Sequence, residues 1–358
     1  MTNLDIAEQR IYNQHIARQT LNNPAELVKY MGAIQAQDYA GAKWAIGLRL
    51  QNSNDAAIDK AMADGSIIRT HVLRPTWHFV TPADARWMID LTAPRINSSS
   101  ASGYRRFQLD SAVLKRSNDI LAKALEGGKQ LSRPDVMGVL NQAGIATDEL
   151  RFIHILMRAE LDKVICSGGR QGKQFTYALF DDRVPKTGIL SKDEALAELA
   201  TRYFISHGPA TLQDFTWWSG LAAVDAKRGL EIVKNEFIKM TSDDRDYWML
   251  KEQPGVSPNK APIAHLLPAF DEFAVAYKNR IATINAKYLE HARRARYLIL
   301  DPSIIVNNQV AGAWKRVIKK NMVEIILNPF GKLNKIQAKA VESAAHRYKK
   351  FIGIENSI

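Results

Sequence analysis

The chain has 358 residues, 46% apolar and 24% charged, which suits two or three small globular units and excludes a disordered chain. Its net charge of +12 and pI near 9.6 point to a polyanionic partner, nucleic acid before an anionic membrane surface. The single cysteine, Cys166, excludes disulfide frameworks, thiolate zinc sites and iron–sulfur clusters, all of which need more than one thiol.

The eight histidines show no H-E-x-x-H pattern or other tight ligand spacing, so neither a metal nor a cofactor is expected. The opening MTNLDIAEQRIYNQH lacks the basic and apolar regions of a signal peptide. No apolar run approaches the roughly 18 residues that a membrane span needs. A cytoplasmic location without membrane attachment is therefore expected.

Along the chain a similar unit occurs three times: short capped helices, then a hairpin. In the first, Leu4, Ala7 and Ile11 keep helical spacing, and Asn23 with Pro24 opens a second helix as N-cap and first residue. A third helix surrounds Trp44 and Leu48, and a fourth runs from Asp55 to a stop at Gly65. IIRTHVL and TWHFV, separated by Pro75, read as a hairpin, and Thr81, Pro82 and Asp84 start another helix with a capping-box pattern. The second unit begins near Leu114. Ser132 with Asp135 opens one helix, and Thr147 the next, whose apolar face carries Phe152, Ile155, Leu156 and Ala159. VICSGGRQGKQFTYALF follows as two strands around a basic, glycine-rich turn. In the third unit, capping boxes fall at Ser191 with Glu194 and Thr211 with Asp214, on either side of a break at Gly208. A helix from Ala222 to Lys234 leads to a hairpin that joins FIKMT to YWMLK across an acidic turn.

Beyond Pro262 the chain is strand-rich and ends in a basic helix around Ala338 to Tyr348, read as a closure of the third unit. The expected fold is α+β and mainly helical: tandem winged-helix (helix-turn-helix) units with β-hairpin wings and a β-rich C-terminal part. Units are expected at 1–110, 111–188 and 189–358. In a winged helix one helix and the wing approach DNA together.

Five segments in order, IQAQDYAGAKWAIGLR from Ile34, HVLRPTWHFV from His71, HGPATLQDFTWWSGL, LLPAFDEFAVAYKNR and GAWKR, resemble the AlkZ/YcaQ-like family of winged-helix DNA glycosylases. The resemblance spans nearly the whole chain. It implies monofunctional hydrolysis of the N-glycosidic bond of N7-alkylated purines, including bases in interstrand crosslinks. The family's catalytic motif, Gln, an aliphatic residue, then Gln or Asp, falls here on Gln35, Ala36 and Gln37.

A neutral amide is a poor general base, but an N7-alkylguanine already carries a positive charge and leaves as a neutral base. What remains is to hold a water against the anomeric carbon and to favour an oxocarbenium-like sugar. Two amides can orient that water, one accepting and one donating, with phosphates or a carboxylate such as Asp38 offsetting the sugar's charge. Residues two apart diverge on a helix, so convergence of Gln35 and Gln37 requires the helix to end near Ile34 and the motif to be extended. Without the resemblance, two solvated glutamines at a helix end are the simpler reading.

His78 in the first hairpin and Asp271 in LLPAFDEF are auxiliary candidates, Asp271 as an electrostatic stabiliser or else as a helix cap or a partner of Lys278 or Arg280. Glu272 follows it. Trp77 reads as core, and His71 lies beside it. The candidates for DNA contact are Lys43, Arg74, Arg170, Lys173, Lys278, Arg280, Lys315 and Arg316, with Arg49 beside Lys43 and a further run at Arg293, Arg294 and Arg296. Lys349 and Lys350 read as a solvated helix face. The expected partner is double-stranded DNA bearing alkylated bases, bound by a monomer, and DNA binding associates the protein with the nucleoid. The competing functions are a winged-helix transcriptional regulator without catalysis and a passive binder of damaged DNA.

Overall fold

The computed structural model describes residues 2–186, 189–252, 263–288, 301–319 and 322–354. Three times the same order of elements recurs: helix, very short strand, two helices, hairpin. The first unit runs Pro24–Met31, strand Ile34–Gln35, Tyr39–Arg49, Asp55–Ala63, then strands Ile68–Val72 and Arg74–Val80. The second runs Ser111–Leu125, strand Leu131–Ser132, Arg133–Gln142, Glu149–Leu161, then Ile165–Gln171 and Gln174–Leu179. In the third, Lys192–His207 leads to a single bridging residue, Ala210, then Leu212–Ser219, Ala223–Val233 and the hairpin Phe237–Ser242 with Arg245–Leu250. Each short strand pairs antiparallel with the second hairpin strand: Gln35 opposite His78, Leu131 opposite Tyr177, Ala210 opposite Trp248. This is the order of tandem winged helices, and the mainly helical α+β class stands. The short strands escape sequence reading because one or two residues carry no alternation.

Most helix starts follow their caps. Asn23 accepts from the Ala25 and Glu26 amides, and full capping boxes form at Ser132, Ser191 and Thr211. Three local expectations change. Pro75 does not divide the first hairpin: the turn lies at Leu73, with φ 63°, and Pro75 sits inside the second strand beside a register shift, where a missing N–H costs no ladder bond. Thr81 donates its hydroxyl to Asp84 and does not cap the backbone. Asp148, not Thr147, caps Glu149–Leu161, while Thr147 bonds to Asn141.

The last described strands, Met322–Pro329, Gln309–Lys319, Ser303–Val306 and Ala264–Leu267, form a four-stranded antiparallel sheet in that spatial order, followed by helix Lys335–Phe351. The expected closure of the third unit does not occur. This sheet and helix share a core with the first unit, where Leu27, Trp44 and Phe79 meet Leu266, Trp314 and Tyr348. Trp44 and Trp314 donate to the Leu266 and Leu267 carbonyls at 2.6 and 2.8 Å. The cause is the Tyr39–Arg49 helix, which is buried on every side and needs more cover than its own unit supplies. At Gly47 a Cβ would lie 2.1 Å from the Phe351 ring, so the final helix rests directly on backbone. A second core runs through helix Pro82–Ser99 and joins Met88, Phe152, Leu156, Tyr203 and Trp218 across all three units. No helix among the described residues is long and apolar enough to cross a membrane.

Candidate active site

The QAQ segment starts in the short first strand of the first unit, Ile34–Gln35, and runs into a bend at Gln37 before the next helix. Gly32, with φ 78°, ends the preceding helix, and Ile34 and Gln35 pair with Phe79 and His78. The Ala36 amide donates to the Trp77 carbonyl at 2.7 Å. Ile34 and Ala36 enter the core, and Gln35 and Gln37 stand at the alternate positions of the segment. Gln37 is exposed and forms no side-chain hydrogen bond among the described residues. Gln35 is only 9% exposed.

Below Gln35 lies a buried polar cluster. The Gln35 backbone N–H donates to Glu272 Oε1 at 2.7 Å, and the other carboxylate oxygen accepts from Trp218 Nε1 at 3.0 Å. Arg74 Nη2 donates to the Gln35 side-chain oxygen at 3.3 Å, and Nη1 reaches the Val275 carbonyl at 3.5 Å. Burial by itself raises the fully enclosed Glu272 carboxyl, but His207, the Arg74 charge and the Gln35 amide outweigh it and hold it below its usual value. His207 Nε2 stands 3.7 Å from Glu272, too far for a hydrogen bond, and burial lowers its pKa. His78, directly across the ladder from Gln35, is fully buried. Burial, then the Arg74 charge, pushes its imidazole down to about 3. Its Nδ1 lies 2.9 Å from the Thr76 carbonyl, which only accepts, so the proton sits on Nδ1 and Nε2 is left without a partner.

Asp271, the acid favoured over its neighbour, faces away from this cluster. It forms a two-pronged ion pair with fully buried Arg49 at 2.8 and 2.9 Å and caps the Phe273 amide. Glu272, one residue on, is the acid that lies under Gln35, a placement that sequence reasoning missed. An Asp at an N-cap is satisfied locally, which hints that the following acid looks elsewhere, but not at what. Trp218 and His207 lie in HGPATLQDFTWWSGL, noted as a motif without a role for either residue.

The basic candidates divide sharply. Lys43 is 4% exposed and held by Asp55 and Asp59 at 2.6 and 2.8 Å, so neither it nor Arg49 can reach a phosphate. Arg170 packs over the Tyr39 and Phe175 rings and donates to the Lys173 carbonyl. Arg316 donates to the Tyr348 hydroxyl and stands 3.8 Å from Asp38, which starts helix Tyr39–Arg49 without a side-chain cap bond. Arg280 donates to the Ala274 carbonyl. Lys173, Lys278 and Lys315 are exposed, and Lys278 lies 4.5 Å over the Trp217 ring. Trp77 and His71 hold Glu160 in the interior. Arg293, Arg294 and Arg296 lie outside the described residues.

Arg74 also walls an open cavity of about 510 Å³ with Pro75, Arg95, Trp217 and Lys278, so the buried cluster borders a cationic cleft. Among the described residues no three His, Cys, Asp or Glu side chains converge in a way that could hold a metal.

A glutamine pair at the short strand of the first of three helix–hairpin units, with a buried carboxylate behind Gln35 and a cationic cleft walled by Arg74, suits a protein that works on DNA. Residues 28–351 match the family described as "DNA glycosylase AlkZ-like". The chain is similar to an interstrand DNA cross-link repair glycosylase of Streptomyces sahachiroi, 22% identical over 360 residues that cover 96% of this chain and 95% of that one. Its fold is similar to the solved structure of Streptomyces sahachiroi DNA glycosylase AlkZ, with a TM-score of 0.81, 20% identity, and coverage of 99% of this chain and 98% of the other. The chain belongs to the AlkZ-like DNA glycosylases, enzymes that hydrolyse N-glycosyl bonds of DNA. The regulator alternative is thereby set aside.

Proposed function

We propose that this glycosylase releases cationic N7-alkylated purines from duplex DNA, with the attacking water held between Gln35 and Gln37. What supports this reading is the end of the preceding helix at Gly32, which takes Gln35 and Gln37 off a helix and lets both amides reach one lesion. The water oxygen bonds to the anomeric carbon, the glycosidic electron pair goes to the base, which leaves neutral, and the water's proton passes to solvent. No strong base is needed because the leaving group starts charged, and neutral purines are therefore poor substrates. Exposure of Gln37 supports action on a base still tethered to the opposite strand, as the name of the Streptomyces relative indicates for that protein. The enzyme binds DNA as a monomer, which brings it to the nucleoid, and Lys173, Lys278 and Lys315 are its free phosphate contacts.

The test is alkali-revealed strand breakage in a duplex that carries one N7-methylguanine. Wild type breaks the strand, and Gln35→Ala and Gln37→Ala each lose roughly tenfold or more of the rate, about 1.4 kcal/mol of barrier reduction. A wild-type enzyme that binds the duplex but releases no base, even from a crosslinked one, sinks the substrate assignment. Binding titrations at several salt concentrations separate the cations. Lys173→Ala or Lys315→Ala lowers the slope of log affinity against log salt by about 1, whereas Lys43→Met leaves the slope unchanged. Equal slope losses at all three would show that Lys43 leaves its aspartates on binding.

A further inference from the structure

We infer that Arg74 fixes the direction of the Gln35 amide and so divides the water between the two glutamines: Gln35 donates to it and Gln37 accepts from it. This rests on the placement of the water proposed above and specifies it. A guanidinium carries five N–H donors and no acceptor, so only the oxygen of an amide can face it. Arg74 Nη2 meets Gln35 Oε1 at 3.3 Å, the hydrogen bond that the Gln35 side chain makes among the described residues. Rotation of Arg74 away is opposed from two sides, by the Val275 carbonyl at Nη1 and by the charge of Glu272. The same carboxylate takes the Gln35 backbone N–H, so one buried acid anchors both the backbone of residue 35 and the residue that orients its side chain.

With its oxygen committed, Gln35 has only N–H groups left to offer a water. A water bound there offers one lone pair to Gln35, keeps the other for the anomeric carbon, and must direct an O–H elsewhere. Gln37 carries an amide oxygen that nothing else occupies. Two glutamines that look interchangeable in sequence therefore have opposite polarity, and Arg74 is a positioning residue.

Isosteric carboxylates separate the two roles, because a carboxylate accepts and cannot donate. In single-turnover release from the N7-methylguanine duplex, Gln35→Glu loses at least about tenfold more of the rate than Gln37→Glu. Equal losses, or the reverse order, overturn the inference. If the added acid beside Glu272 prevents Gln35→Glu from folding, Arg74 decides the matter alone. Arg74→Met lowers the release rate about tenfold while affinity for unmodified duplex and its salt slope stay constant, and Arg74→Lys recovers part of the rate. Weaker binding with an intact release rate from the bound complex would make Arg74 a phosphate contact only. A wild-type enzyme without base release is a separate result, which removes the substrate assignment itself.

Discussion

Asp271→Ala lowers the stability of the fold by about 3–5 kcal/mol, because it leaves a buried guanidinium without its counter-ion. Arg49 is fully enclosed, and Asp271 supplies both of its charged contacts, with Gln14 and the Ala45 carbonyl as neutral acceptors at 2.9 Å. The pair joins the buried helix of the first unit to the segment that carries Glu272, so its loss loosens the attachment of the C-terminal sheet. Asp271→Asn retains an acceptor for the Phe273 amide and removes only the charge. Denaturant unfolding shows a clear loss of midpoint for both variants. The release rate of the folded Asn variant falls far less than that of Gln35→Ala. A folded, stable Asp271→Asn enzyme with no activity would place Asp271 in the chemistry after all.

Acidification produces the second large effect. His78 and His265 are both buried, and burial, assisted by the Arg74 charge in one case and the Arg347 charge in the other, takes each imidazole from 6.5 to about 3. Unfolded histidine binds its proton near pH 6.5, whereas these take one up only near pH 3 in the folded state. Between those values the unfolded state holds more protons, so stability is complete above pH 6.5 and is lost as the pH falls. By pH 5 each imidazole has withdrawn about 2 kcal/mol. His207, lowered chiefly by burial, acts in the same direction. Unfolding free energies from urea titrations drop between pH 7 and pH 5 by several kcal/mol in total, and His265→Leu flattens the slope in proportion. Equal midpoints at the two pH values would mean that these imidazoles reach solvent. His78, neutral throughout this range, contributes no ionisation to the pH dependence of base release.

That the helix ends ahead of the QAQ motif was legible in advance, since two amides that must share a face cannot stand two apart on a helix. The identity of the acid beneath Gln35 was not. Asp271 and Glu272 are adjacent carboxylates, and choosing between them requires knowing that Arg49 approaches one while Gln35 and Trp218 approach the other. The same blindness made Lys43 and Arg49 look like phosphate contacts, since a cation on a helix shows its charge in the sequence but not the aspartates that enclose it.

Features that depend on neighbours three or four residues away are largely settled by the sequence itself, Thr81 and Thr147 being the exceptions. The boxes at Ser132, Ser191 and Thr211 start helices because each side chain reaches an amide three residues on. The hairpins follow likewise from alternation and local turns. Only the tertiary structure decided the base of the active site and the seat of the C-terminal sheet. Gln35 and Glu272 are separated by 237 residues, and Arg49 and Asp271 by 222. Such contacts depend on which buried faces find each other once the helices have packed, and no local pattern along the chain records that choice.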